Sequence, residues 1–141
     1  MKYLIPLKYF FVMTVLLVFT GLWMSILHTS LSIEGTLVYY APKSAFGLLE
    51  TVSPHIFGMV LLVFIMTHFF AIAKELKQEK YYRVSILFYF ILLFTNLSGF
   101  FISETGYLFA VVKLFSTLLF VLFILISIVK VLKVLYFNNG N

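Results

Sequence analysis

The sequence predicts an all-α integral membrane protein: an up-and-down bundle of four spanning helices with both termini on the cytoplasmic side. Three observations lead there. Of the 141 residues, 63% are hydrophobic and 11% charged, far from the balance of a water-soluble domain. Four apolar runs each reach the length of about 20 residues that a helix needs to cross a bilayer. The basic residues gather at alternate ends of those runs, which sets the orientation.

The first run covers residues 9–28 and is preceded by Lys2 and Lys8. It resembles a signal peptide at first sight. The apolar stretch is too long for one, and no small-x-small cleavage pattern follows, so it reads as an uncleaved first span. An outer loop, residues 29–53, contains Gly35, Tyr39, Tyr40 and Pro42. It then has an apolar-rich stretch, residues 44–51, expected as a short helix lying on the surface. A loop of that length on so small a protein is expected to serve as a lid or docking surface.

The second span is expected over residues 54–73, with Ser53 as N-cap and Pro54 in the first turn. Lys74, Lys77, Lys80 and Arg83 follow it, and the third span takes residues 82–102. A short turn with Glu104 leads to the fourth span, residues 107–131, closed by Lys130 and Lys133. The last four residues, 138–141, read as a frayed polar tail. The short links force sequential helices to pack antiparallel in one transmembrane domain, residues 1–141.

The net charge of +5 is therefore a signature of membrane orientation and points to a lipid bilayer, not to nucleic acid. It fits a multi-pass protein of a bacterial-type inner membrane. Cysteine is absent, which removes disulfides, thiolate metal sites and covalent haem attachment from this chain. Aspartate is absent too, and no glycine-rich phosphate loop occurs. Any enzymatic role is limited to that of a redox subunit.

The candidate site rests on the histidines, because ionisable side chains are costly in hydrocarbon and mark function when they occur there. His28 closes the first span and His55 opens the second, which places both near the outer face. Gly21 precedes His28 by seven residues and Gly58 lies one turn after His55. Small residues there leave room for a flat macrocycle or for close helix packing. The outer half also carries Asn96 and Lys113, the latter about 9 Å into the fourth span. Lys113 is expected either to meet a haem propionate or to snorkel outward toward Glu104.

Three readings of His28 and His55 stay open: axial ligation of a b-type haem, a zinc or copper site completed by Glu104 or Glu50, or plain interfacial residues. His68 lies 13 residues beyond His55, about 140° around an ideal helix, with Met13, a residue of another subunit or Tyr89 as its expected partner.

The block from Ser53-Pro54-His55 through Gly58 to Thr67-His68-Phe69-Phe70 resembles the haem-bearing helix of small cytochrome b-type membrane subunits. The resemblance implies a membrane electron-transfer subunit with one b-type haem on His28 and His55, and His68 as a candidate ligand of a second. It implies exchange of electrons between quinol and other membrane or periplasmic redox subunits. The alternative is a cofactor-free interaction or assembly subunit, as a monomer or homo-oligomer, that docks a partner through the outer loop.

Overall fold

The computed structural model describes residues 4–72 and 78–137. They form five helices: α1 (Leu4–Thr29), α2 (Ile33–Tyr40), α3 (Ala45–Ile72), α4 (Gln78–Thr105) and α5 (Tyr107–Phe137). Four of these are long and apolar enough to span a membrane, over Pro6–Thr29, Ala45–Phe69, Tyr82–Ile102 and Tyr107–Lys133. Lys2, Lys74, Lys77 and the tail at 138–141 lie outside the described residues. The helix order returns Lys8, Lys80, Arg83, Lys130 and Lys133 to a common end.

The outer loop differs from its expected form in two ways. First, residues 44–51 are not a separate surface helix; they are the opening turns of α3, and Ser53-Pro54 is not its start. Ser44 supplies the cap instead, its hydroxyl accepting the Gly47 N–H at 3.2 Å and its carbonyl accepting the Leu48 N–H at 2.9 Å. Leu48 and Val52 are buried on the side of α3 that continues into Met59, Leu62 and Val63, so packing carries the helix through Pro54. Proline removes a single donor, the one that would serve the Glu50 carbonyl.

Second, the loop contains α2, folded back against α1 by a tight turn. Ser30 and Leu31 take left-handed φ values of 52° and 48°, which ends α1 and reverses the chain. Ser32 then caps α2, its hydroxyl accepting from the Gly35 N–H at 3.0 Å. Gly35 is required here. A Cβ at this position would lie 2.0 Å from the Thr29 carbonyl oxygen, well inside contact distance.

Helix α4 is the centre of the bundle and packs on both α3 and α5. Its inner half contributes Phe88, Ile91 and Leu92 to an apolar core with Val63 and Met66 of α3 and Phe120, Ile124 and Ile128 of α5. Helix α1 is peripheral. It joins this core at its inner end, where Phe10 and Phe11 meet the ring of Phe69 at 5.5 and 5.6 Å. Farther out it is attached mainly through α2, and much of its surface, including Phe19, Trp23 and Leu27, faces outward. In a bilayer that surface meets lipid, so its exposure needs no partner to explain it.

Candidate functional site

Toward the outer end the buried face of α4 changes from apolar to polar. Thr95, Asn96 and Ser98 are all buried, as are Ser116 on α5 and Thr36 on α2. Most of these groups satisfy themselves within their own helix. The Thr95 hydroxyl donates to the Ile91 carbonyl at 2.7 Å, and the Asn96 amide to the Leu92 carbonyl at 2.8 Å. Asn96 also reaches the Met59 sulfur of α3 at 3.5 Å. The buried Ser98 hydroxyl has no hydrogen-bond partner.

Lys113 enters this layer from α5, and its ammonium donates to the Thr95 carbonyl. It lies 5.2 Å from the centroid of the Tyr40 ring. Tyr40 in turn rests on Gly99, where a Cβ would stand 3.3 Å from its Cε1. The end of α2 therefore closes over the lysine, and the small residue on α4 lets the ring approach. Lys113 does not snorkel outward as expected. A backbone acceptor and an aromatic face lie within reach of a chain that α2 already covers. Burial, then the neighbouring Tyr39, pushes the Tyr40 phenol up to about 12.

A second cluster sits above this layer and brings His28 and His55 into one connected group. The His28 ring stacks on Tyr39 with centroids 4.7 Å apart and planes 29° apart. The Lys43 ammonium lies 3.8 Å from the centroid of the same tyrosine. Lys43 also donates to the Thr51 hydroxyl at 3.3 Å, and that hydroxyl donates onward to the Gly47 carbonyl at 2.8 Å. His55 completes the chain, with Nδ1 at 2.9 Å from the Thr51 carbonyl. A carbonyl only accepts, so Nδ1 carries the proton and the Nε2 of the neutral ring keeps its lone pair. Both imidazoles are solvent- or lipid-exposed. No atom outside their own helices comes within 4 Å of a Cβ placed at Gly21 or Gly58.

The other expected site residues lie elsewhere. His68 is exposed and its ring lies against Phe64 of the same helix at 5.3 Å, not against Met13 or Tyr89. Asn96 and Lys113 belong to the buried layer, with their polar atoms bonded to α4 carbonyls. Among the described residues, no group of three or more histidine or carboxylate side chains stands together as a metal site. Tyr39, Lys43 and Thr51 are not among the site residues that the sequence predicts. The signal was present: Lys43 follows Tyr39 by four residues, and it is the lone basic side chain of the two outer links.

The chemistry of this donor set fits an axial haem ligand at His55. Its Nδ1–H is fixed by a backbone carbonyl, the arrangement that orients ligating imidazoles and leaves Nε2 to bind. The His28 ring is held by its stacking on Tyr39 and by no such backbone hydrogen bond.

Fold and site together define a multi-pass membrane helical bundle with a polar, aromatic-capped outer end. The chain belongs to the Aq_1264_TM family, a transmembrane helical domain, whose model matches residues 34–141. The match begins within α2 and takes in α3, α4 and α5 with Lys43, His55 and Lys113; α1 and His28 precede it. No curated protein and no solved structure matches the chain.

Proposed function

We propose that the protein is a membrane electron-transfer subunit that holds one b-type haem at its outer end, with His55 as the primary axial ligand and His28 as the second. The supporting observation is the His55 imidazole. It stands at the end of a spanning helix with Nδ1 committed to the Thr51 carbonyl and Nε2 free, beside an open Gly58. When bound, haem supplies one-electron transfer. This chain contributes ligation, an apolar shell and a position near the outer face, where quinol and a partner redox subunit of a bacterial-type inner membrane can reach it. The stacking of His28 on Tyr39, a contact of modest strength, supports its assignment as the second ligand.

The test is the reduced-minus-oxidised absorption spectrum of protein purified from haem-sufficient cells. A b-type spectrum should appear and be lost in His55→Ala. In His28→Ala it should change to that of a haem with one histidine ligand, and in His68→Ala it should stay intact. A colourless wild-type preparation, or a spectrum indifferent to His55→Ala, refutes the assignment.

One observation favours a second reading, a cofactor-free subunit that docks a partner through its outer loop. Val38 on α2 and Phe46 in the first turn of α3 are 76% and 77% exposed. If docking is the whole function, replacing all three histidines leaves complex formation unchanged, whereas Val38→Ser with Phe46→Ser abolishes it.

A further inference from the structure

Lys43 is the lysine that membrane topology disfavours. The inner end collects the other loop lysines, and Lys43 stands by itself on the outer side. Its side chain is half-buried and held in place, over the Tyr39 ring at 3.8 Å and against the Thr51 hydroxyl at 3.3 Å. Among the described side chains, which include Glu34 and Glu50, no carboxylate bridges it. An ammonium has three donors. The hydroxyl and the ring take two, and one remains for a ligand. The imidazoles of His28 and His55 are tied to the same two residues, Tyr39 and Thr51, so the Lys43 ammonium is the cation at the middle of the cluster.

We propose that Lys43 is an oxyanion site for the head group of an amphiphile at the outer face of the membrane. The site lies at the outer ends of α1 and α3, within reach of the head groups of amphiphiles embedded in the outer leaflet. That oxyanion is the phosphate of an outer-leaflet phospholipid, or the propionate of a haem on His55. The second source rests on the haem reading above; the first does not. Thr51 makes the geometry specific, because its hydroxyl positions Lys43 while its carbonyl orients His55. A charge-assisted hydrogen bond of this kind is strong enough to change affinity about tenfold when removed.

Wild type, Lys43→Met and Lys43→Arg are compared in detergent with helical content monitored by circular dichroism. One arm measures phosphatidylglycerol retained by native mass spectrometry, and the other measures haem uptake by absorbance titration. Weakening of lipid retention by about tenfold in Lys43→Met, with recovery in Lys43→Arg, assigns the phosphate. The same pattern in haem uptake assigns the propionate, and loss in both arms assigns both to one site. If neither arm responds to Lys43→Met, the oxyanion site is wrong. Absence of haem uptake by the wild type overturns the haem reading alone, and the lipid arm still decides the fate of Lys43.

Discussion

At the residue scale, two positions show how local chemistry shapes the outer end. Gly35 is the closest approach of backbone to backbone in the α1–α2 turn, facing the Thr29 carbonyl. Gly35→Ala should lower stability by about 2 kcal/mol or more, because neither backbone can retreat without breaking the Ser32 cap. Thermal unfolding in detergent measures it, and an unchanged midpoint would show that the turn is looser than described. Lys113 makes the opposite case. Its ammonium is held by a carbonyl that α4 already satisfies internally. Lys113→Met should therefore change stability by less than about 1 kcal/mol, since an apolar side chain of similar length replaces the charge without leaving an acceptor unpaired. Lys113→Ala should cost about 2 kcal/mol through the void it leaves beneath Tyr40.

At the element scale, α2 is the part that the sequence expressed least clearly. Its eight residues carry a glycine and two tyrosines, which read as loop, and its helical form depends on tertiary contacts with α1, α4 and α5. The same cause hid the start of α3. Pro54 is a strong local signal for a helix start, but burial of Leu48 and Val52 outweighs it. The spanning helices were legible because about 20 apolar residues in a row admit few other readings. The docking of α2 has a measurable consequence through Tyr40. Its phenol is raised from 10.0 to about 12 in the folded protein, so the folded state binds the proton more tightly. That stability is fully present below about pH 10 and is lost as pH rises from 10 toward 12, an effect on the order of 2 kcal/mol. Tyr40→Phe should flatten the alkaline fall in melting temperature. A fall of equal steepness in both proteins would place Tyr40 outside the folded interface.

At the scale of the whole molecule, the distribution of polarity along the bundle separates its two ends. Apolar packing among α3, α4 and α5 dominates the inner half, where the buried Thr67 and Ser127 hydroxyls bond back to their own helices. The outer half has Thr95, Asn96, Ser98 and Ser116 in its interior, capped by α2. Outer-half polarity was readable from the sequence because helical order fixes depth. Which polar groups meet was not, because that depends on how α2 folds back. His28 and His55 are linked through Tyr39, Lys43 and Thr51, a chain of contacts that depth alone does not reveal. Orientation can be tested directly because the chain has no native cysteine. Single cysteines at Val38 and Lys80 should label with a membrane-impermeant thiol reagent from opposite sides of the membrane, Val38 from the outer side and Lys80 from the cytoplasmic side. Labelling from the reverse sides would invert the lysine-based topology.

The proposal with the widest consequences is that the outer cluster ligates one b-type haem through His55. Haem stoichiometry tests it most directly, with haem extracted from purified protein and quantified against chain concentration. About one haem per chain is expected in the wild type and essentially none in His55→Ala, because His55 is the primary axial ligand. A wild-type preparation free of haem, or one in which His55→Ala retains its full complement, would contradict it.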